Sequence, residues 1–419
     1  MNPTVAEYLR SGEESLGLLA GAAPSRSALI PDVGVLALVP DLWHWQWQPR
    51  HQVMTRLARY FPVVWMNPAE YWRKSLRLRN LLPSPDGVPI PESDFVVHTA
   101  SPFLPLLYSP RKLAKYTLRK RLETARQTLI KKGCTKVALY LWRPEFAAAL
   151  DQIPADLSCY HIDDEYTFST VDTPISEEER NLIARVDQVF IHSPALLEKK
   201  GKINPHTSFT PNGVDFDAYA QPVQEPDDLR KIPHPRIGYS GHIKRQLDWQ
   251  LLRDLTARHP NWFFVFVGST NAHSEILGHV EELSRRKNVR FLGSKTALQL
   301  AAYPQHFDVC VMPYRNDDYT KYIYPLKLHE YLASGRPVVG TPIPSLVAFR
   351  DSVRLPENAE QWTVAIAQSL EPMANTMESR AARQALAKSH DWNILVRQIA
   401  QTMANRLGPA YAALLERNI

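Results

Sequence analysis

Residues 325–339, P-L-K-L-H-E-Y-L-A-S-G-R-P-V-V, combine a seat for an anion with a carboxylate that can bind sugar hydroxyls. Pro325 is predicted to open a helix, because proline is favoured at the first helical position. The amides of Lys327 and Leu328 would then point outward and bind an anion such as a diphosphate, which the helix dipole also favours. Glu330 lies one turn further along and can accept two hydrogen bonds from the hydroxyls of a ribose. The alternative interpretation is an ordinary amphipathic helix whose lysine and glutamate are solvated.

A second group of chemically active side chains lies in residues 160–166, Y-H-I-D-D-E-Y, directly after an apolar segment. A carboxylate there can accept a proton from a substrate hydroxyl or orient that hydroxyl, with Asp163 as the first candidate and Asp164 as the second. Neighbouring side chains on an extended chain point in opposite directions, so we expect one of the two to face a ligand. The alternative is a helix cap or a turn, which aspartate also favours.

Three tryptophans alternate with polar residues in 41–51, D-L-W-H-W-Q-W-Q-P-R-H. Aromatic faces suit the apolar surfaces of sugar rings. His44 and His51 are candidate bases on the acceptor side, and we rank both below Asp163 because isolated histidines are more often structural.

Residues 103–136 combine an apolar loop, F-L-P-L-L-Y, with a strongly basic helix. The stretch 111–136 holds ten Lys and Arg against one acid, Glu123. Five apolar side chains can share one helical face and are predicted to be buried: Leu113, Leu118, Leu122, Ala125 and Leu129. An exposed apolar loop beside a basic helix face is typical of peripheral docking on an anionic bilayer. The alternative is a solvated helix face without a partner.

These groups are carried by apolar strands that alternate with helices in two successive blocks. This pattern predicts an α/β fold of two doubly wound parallel-sheet domains, whose ligands bind in the cleft beyond the carboxyl ends of the strands. We expect an N-terminal extension at 1–31, a first domain at 32–212 and a linker at 213–235, where Pro, Asp and Gln replace the apolar pattern. A second domain at 236–390 and helices at 391–419, which can pack back on the first domain, complete the predicted organisation.

Composition excludes several classes of protein. The 419 residues are 44% hydrophobic and 22% charged, which excludes a wholly disordered chain. Three cysteines without a C-x-x-C pair exclude a disulfide scaffold and a cysteine-rich zinc module. We expect neither a membrane span nor a secretory signal, because the apolar runs are strand-sized and no basic segment precedes one at the N-terminus. The net charge of +6 suits anionic partners in general, but the basic helix lacks interleaved aromatics, so no nucleic-acid partner is expected.

Four motifs in register resemble the family 4-like GT-B glycosyltransferases, bacterial enzymes that build polysaccharides and glycolipids. The run K-L-x-E-Y-L-A-x-G-x-P-V-V at 327–339 resembles their nucleotide-sugar site. P-N-G-V-D at 211–215 resembles the segment that closes their first domain, and I-G-Y-S-G at 237–241 resembles the first strand and glycine loop of the second. Residues 264–268, 288–293 and 307–313 resemble the next three strands. The resemblance is specific over 211–345 and weaker over the N-terminal half.

The resemblance implies a role for each matching residue. Glu330 would bind the ribose of a UDP- or GDP-linked sugar donor, and the amides of Lys327 and Leu328 would bind its phosphates. Gly241 would let the backbone approach the diphosphate closely, because a side chain there would collide.

Two positions depart from the family pattern. Tyr322 stands where many relatives have a second glutamate that contacts the donor sugar, so the identity of the sugar is not implied. His242 stands where relatives often have an arginine, and we expect one of Lys244 and Arg245 to counter the charge of the leaving diphosphate. The polar loop 314–324 suits contacts with the donor sugar and packing between the domains equally. These departures keep open a second hypothesis, a non-catalytic GT-B-like scaffold in a polysaccharide assembly complex.

As a family 4-like member, the chain would be a glycosyltransferase that moves a sugar from its donor to a saccharide or lipid-linked acceptor, with retention of anomeric configuration. If the leaving phosphate takes the acceptor proton, Asp163 would orient the acceptor rather than act as a base. The resemblance implies neither a cofactor nor a metal ion. The three cysteines without a C-x-x-C pair suit a reducing cytosol, so we expect a cytoplasmic protein, which the basic helix would bring to the inner face of the cell membrane.

Overall fold

The computed structural model of the chain describes residues 27–44, 47–71, 94–166, 174–270 and 274–417. Most of the extension predicted at 1–31, and Trp45 of the tryptophan-rich segment, lie outside these residues. Two parallel sheets are formed, one from each half of the chain.

Seven strands form the first sheet, and all neighbouring strands in it are parallel. Their order is β3-β2-β1-β4-β5-β6-β7, with β1 (Val33–Leu38), β2 (Val63–Met66), β3 (Phe95–His98), β4 (Lys136–Leu141), β5 (Leu157–Ile162), β6 (Gln188–Ile191) and β7 (Thr207–Phe209). The central strands are apolar and buried, as expected of a parallel sheet that is covered on both faces.

In the described residues of the first domain, the helices are α1 (Pro49–Leu57), α2 (Arg111–Lys131), α3 (Glu177–Arg185) and α4 (Pro194–Lys200). Short 3-10 helices lie at Pro144–Asp151 and Gly201–Ile203. Ser176 and Ser193 explain where α3 and α4 begin, because each hydroxyl accepts an amide hydrogen bond at 3.2 Å from the residue three positions on. Buried apolar side chains form a core on each face of the sheet.

Six strands form the second sheet, which is also parallel throughout, in the order β10-β9-β8-β11-β12-β13. They are β8 (Arg236–Ser240), β9 (Phe263–Val267), β10 (Val289–Phe291), β11 (Val309–Met312), β12 (Val338–Gly340) and β13 (Val353–Arg354). The helices between and after them are α7 (Trp249–Arg258), α8 (Ser274–Ser284), α9 (Ala297–Gln305), α10 (Leu326–Ala333), α11 (Pro344–Val347), α12 (Ala359–Leu370) and α13 (Met377–Lys388). Further 3-10 helices lie at Thr320–Tyr322 and Pro372–Asn375.

The segment predicted as a linker, 213–235, is built into the second domain. It contains the short helices α5 (Phe216–Ala220) and α6 (Asp227–Arg230). Tyr219, Leu229 and Ile232 are buried in the second-domain core. The apolar residues of this segment that reach the core are too widely spaced to show a helical period in the sequence.

The C-terminal helices α14 (Trp392–Leu407) and α15 (Pro409–Arg417) return to the first domain. Trp392, Ile399 and Met403 pack in the same core as Leu57 of α1. The Tyr411 hydroxyl donates to Asp32 at 2.7 Å, which fixes α15 beside the start of β1. The chain thus crosses between the domains twice.

Both sheets change direction at a defined point, between β1 and β4 in the first and between β8 and β11 in the second. Ligands of doubly wound sheets bind at such switch points, beyond the carboxyl ends of the strands. The predicted fold class, two doubly wound parallel-sheet domains, is confirmed.

Candidate functional site

The candidate donor site lies beyond β8 and β11, at the switch point of the second sheet. Gly241 directly follows β8 and has a φ of +117°, which residues with a side chain rarely adopt. A Cβ at Gly241 would lie 2.8 Å from Cε and 2.9 Å from Nζ of Lys327. The glycine backbone and the lysine ammonium can lie this close only because no side chain separates them.

The side chain of Lys327 is the central cation of this site. Its Nζ lies 4.9 Å from the centre of the Tyr239 ring and interacts with the hydroxyls of Tyr239 and Tyr314. Burial opposes its charge, yet the two tyrosine oxygens and the Glu330 carboxylate raise the pKa of Lys327 above its usual value. The sequence analysis assigned only the backbone of Lys327 to the site, because the contact with the glycine loop joins residues far apart in the chain.

Helix α10 begins at Leu326. Pro325 is its N-cap rather than its first helical residue, and the Leu328 amide donates to the Pro325 carbonyl at 3.2 Å. The Leu328 amide is therefore used within the first turn, which corrects the prediction that it points outward. The amides of Leu326 and Lys327 precede the first hydrogen bond of the helix and lie at its positive end.

Glu330 lies on the same face of α10 as Lys327, one turn further along. Its carboxylate is half-buried and accepts a hydrogen bond from the Tyr219 hydroxyl. Burial raises the pKa of Glu330, and the Lys327 ammonium and the Tyr219 hydroxyl oppose that rise. The carboxylate and the ammonium thus belong to one cluster at the start of the helix.

The side chains of Lys244 and Arg245, the two cations after the glycine loop, lie in different places. Lys244 interacts electrostatically with Lys327 and, across the cleft, with Asp164 of the first domain. Burial and the charge of Lys327 lower the pKa of Lys244. Arg245 lines a neighbouring polar hollow together with Arg315. Of the two residues, Lys244 is therefore the one beside Lys327.

His242 lies in the same cluster. Burial, together with the charges of Lys244 and Lys327, lowers the pKa of His242 to about 4. The imidazole is therefore neutral at pH 7, and it adds no fixed charge where relatives often have an arginine.

Asp163 is held inside the first domain. Its Oδ2 pairs with Nη2 of Arg50 at 2.8 Å, and its Oδ1 accepts a hydrogen bond from the Tyr166 hydroxyl at 2.5 Å. Arg50 also pairs with Asp41. Burial opposes the charge of Asp163, but Arg50 and Tyr166 lower the pKa of Asp163 below its usual value. This carboxylate is ionised and fully engaged by its neighbours.

Asp164 faces the cleft. Its Oδ1 accepts the Glu165 amide at 2.8 Å, and it interacts electrostatically with Lys244 and Tyr319 of the second domain. Burial and the neighbouring charge of Asp163 raise the pKa of Asp164. Of the two candidates, Asp164 is therefore the carboxylate that faces the second domain across the cleft.

His51 belongs to the core rather than to the site. It is fully buried, its Nε2 lies 3.2 Å from the Trp43 carbonyl, and its ring packs against Trp65 at 4.5 Å. Burial lowers the pKa of His51 to about 3. Trp43 is 3% exposed and packs against Phe95, so it has no free face for a sugar ring. His44 is half-buried, and burial lowers its pKa as well.

Two histidines that the sequence analysis missed lie beside Asp163. His161, in β5, stacks on Trp142 at 4.1 Å, and burial lowers its pKa to about 3. His192 follows β6 and has its Nδ1 3.1 Å from the Ile162 carbonyl, and burial lowers its pKa too. His192 could have been predicted as a candidate, because it follows the strand next to β5 and so lies at the same edge of the sheet.

The loop 314–324 joins β11 to α10 and packs in part on the first domain. Tyr322 is 2% exposed within the first-domain core, and the Lys199 ammonium of α4 lies 4.9 Å from its ring centre. The Tyr324 carbonyl accepts a hydrogen bond from Asn212 at 2.8 Å. For Tyr322 and Tyr324, packing between the domains is therefore the correct alternative. Tyr319, by contrast, interacts with charged groups on both sides of the cleft.

Within the described part of the chain, no group of three or more His, Cys, Asp or Glu is placed to hold a metal ion. The site offers instead two lysine ammonium groups, the first amides of a helix and the half-buried backbone of Gly241. With the Glu330 carboxylate, these groups can bind a diphosphate and the hydroxyls of an attached ribose, while Asp164 approaches from the opposite domain.

Residues 234–372, which carry the glycine loop and α10, match the family model of the group 1 glycosyl transferases. The chain is also similar to a solved structure of trehalose-6-phosphate synthase, with a TM-score of 0.60 at 10% identity over 90% of this chain and 98% of that one. The chain has the GT-B fold. A second GT-B neighbour, the lipopolysaccharide outer core galactosyltransferase WaaB, has a TM-score of 0.56 at 10% identity over 89% and 99% of the two chains.

One curated relative is similar in sequence to this GT-B chain. It is a Bacillus subtilis (strain 168) protein provisionally named teichuronic acid biosynthesis glycosyltransferase TuaH. The two are 30% identical over 238 residues, which are 54% of this chain. The match spans 58% of the length of the relative.

The basic segment 103–136 exposes more apolar surface than predicted. Leu122, Ala125 and Leu129 are buried, but Leu113 is 47% exposed, because α2 buries no residue before Thr117. The exposed apolar side chains around the first turns are Phe103, Tyr108, Leu113 and Tyr116. No helix in the described residues is both long enough and apolar enough to cross a bilayer.

Proposed function

We propose that the protein is a glycosyltransferase that moves a sugar from a nucleoside-diphosphate donor, UDP- or GDP-linked, to a saccharide or lipid-linked acceptor in polysaccharide or glycolipid biosynthesis. One observation carries the proposal. The side chains of Lys327 and Glu330, the backbone of Gly241 and the Lys244 ammonium converge at the start of α10, and Asp164 of the other domain faces them.

The chemistry follows from which groups carry charge. The bond between the sugar C1 and the diphosphate oxygen breaks, and the leaving diphosphate gains negative charge that Lys327 and Lys244 stabilise. The bond between C1 and the acceptor oxygen forms on the same face, so the configuration is retained, as the resemblance implies. The acceptor proton passes to the leaving phosphate oxygen, and Asp164 orients the acceptor hydroxyl rather than removing its proton.

The donor site is tested by titrating UDP and GDP while following thermal unfolding. We expect saturable stabilisation by one nucleotide and at least about a tenfold weaker affinity in Glu330→Gln, because a hydrogen bond to a charged group contributes about 1.5–3 kcal/mol. Glu281→Gln, an exposed glutamate on α8, is the matched control and should bind as the wild type does. If neither nucleotide stabilises the protein, the scaffold hypothesis replaces the enzyme.

The donor sugar is identified by incubating the pure protein with a panel of nucleotide sugars and measuring slow hydrolysis, which needs no acceptor. The same assay with EDTA tests the expectation that neither a metal ion nor another cofactor takes part. Undiminished hydrolysis after chelation is the expected result, and loss restored by a divalent cation would contradict it.

We further propose that the basic α2 helix and the Phe103 loop dock the protein on an anionic membrane surface, in the cytoplasm, where a lipid-linked acceptor would lie. Exposed apolar side chains stand beside five exposed cations: Arg111, Lys112, Lys115, Arg119 and Lys120. We expect salt-sensitive binding to phosphatidylglycerol vesicles, weaker binding by Phe103→Ser, and none to neutral vesicles. Equal retention on DNA would indicate nonspecific charge attraction instead.

A further inference from the structure

Four arginines gather at the end of the second domain that lies away from the candidate donor site. Arg336 follows the glycine that ends α10, Arg354 ends β13, and Arg380 and Arg383 lie on α13. Three of them meet at one turn. Arg383 Nε donates to the Gly335 carbonyl at 2.9 Å, and the Arg380 Cβ lies 3.4 Å from where a Cβ of Gly335 would be.

The hydrogen bonds of these arginines all end on neutral oxygens. Arg383 Nη2 donates to the Ala374 carbonyl at 2.8 Å, and Arg336 Nε donates to the Gln305 carbonyl at 2.8 Å. Arg354 Nε donates to the Ser369 hydroxyl at 3.1 Å. Among the residues that the structure describes, no carboxylate pairs with any of the four.

Arg380 differs from the other three arginines in the hydrogen bonding of its Nε. Its Nε is buried and has no hydrogen-bond partner within the described chain. Burial and the charge of Arg380 lower the pKa of Arg383 to about 10, and the same two causes lower the pKa of Arg336. All these guanidinium groups still carry their charge at pH 7, so the cluster contains unrelieved repulsion.

The local charge is not balanced by the protein. The carbonyls bound by Arg336 and Arg383 lie at the ends of α9 and α10, and each helix end supplies roughly half a negative charge. Asp308 interacts with Arg336, but its Oδ2 is already bound by His234 and by the Arg236 amide at 2.6 Å each. For Arg336, Arg380 and Arg383 together, about two positive charges therefore remain, which is the charge that a phosphate group at pH 7 would neutralise.

We propose that Arg336, Arg380 and Arg383 form a binding site for a phosphate group, with Arg354 at its edge. A phosphate offers several acceptor oxygens, which match the forked donors of guanidinium groups. Arg354 is exposed and Arg336 and Arg380 are half-buried, so the cluster is open to solvent. The ligand is inorganic phosphate or a phosphomonoester, and the site is independent of the proposed transferase activity.

The test is thermal unfolding of the full chain at pH 7 and constant ionic strength, with chloride replaced stepwise by phosphate. We expect a saturable rise of the melting temperature by about 2 °C at about 10 mM phosphate. Arg380→Gln should abolish the rise. Arg350→Gln, an exposed arginine of the same domain, is the matched control and should retain it. A parallel titration with glycerol 3-phosphate separates the two ligand sources, because a phosphomonoester site responds to it at lower concentration than to phosphate.

Because the lysines of the candidate donor site can also bind phosphate, Lys244→Gln is titrated alongside. A response lost in Lys244→Gln but kept in Arg380→Gln would overturn the proposal, as would a response to phosphate no larger than that to chloride. Should Arg380→Gln fold poorly, Arg354→Gln provides the second variant, with a weakened response expected. Failure of this site leaves the nucleotide titration, and hence the proposed function, unaffected.

Discussion

The same substitution should affect different properties of the protein at the adjacent residues Asp163 and Asp164. Asp163 is bound by Arg50 and Tyr166 inside the first domain, whereas Asp164 faces the cleft. Replacing each by asparagine removes one charge and preserves the shape. We therefore expect Asp163→Asn to reduce stability and Asp164→Asn to reduce catalysis.

The magnitudes follow from the contacts. The Asp163 and Arg50 side chains are 7% and 9% exposed, and breaking a buried pair from one side costs about 3 kcal/mol. For a domain of this size, that corresponds to a melting temperature lower by about 8 °C. Asp164→Asn should change stability by less than about 0.5 kcal/mol, because an amide oxygen can still accept the Glu165 amide and repulsion from Asp163 is relieved.

The assay compares urea unfolding and donor-sugar transfer for the wild type and both variants. Nucleotide binding should be retained in each, since neither residue belongs to the donor site. A double-mutant cycle with Arg50→Met measures the pair directly, and a coupling free energy near zero would refute the importance of this ion pair. Equal destabilisation by the two substitutions, or full transfer activity in Asp164→Asn, would refute the assignment of their roles.

Three further predictions concern stability and donor binding. Because the pKa of Asp163 is lowered in the folded state, the contribution of its charge to stability is present above about pH 4 and is lost on further acidification. The difference in unfolding free energy between the wild type and Asp163→Asn, measured by urea unfolding, should therefore become smaller below that pH. Gly241→Ala should weaken nucleotide binding about tenfold or more in calorimetry, because its Cβ would displace Lys327, and unchanged affinity would contradict the close approach. Lys200→Met should destabilise the first domain by about 3–5 kcal/mol, because it removes the cation that the buried carboxylates of Glu165 and Glu179 share at 3.2 and 2.8 Å. A melting temperature within a degree of the wild type would disprove this.

The sequence predicted the fold class because apolar strands and intervening helices leave a periodic pattern that needs no tertiary information. Pro325 and Gly335 bounded α10 to within one residue, and Glu330 was placed on it by spacing alone. The short helices α5 and α6 were not predicted, because each buries a single residue and therefore shows no helical period of apolar residues.

Only the tertiary structure decided which members of each pair of candidates face the cleft. Asp163 and Asp164 are chemically identical in sequence, and they differ because Arg50 of another helix binds one of them. The contact with Gly241 places the Lys327 side chain in the candidate site, and the contact with Lys199 makes Tyr322 a packing residue. A linear pattern records which faces of an element are apolar, whereas charge pairing joins residues that meet only once both sheets have formed.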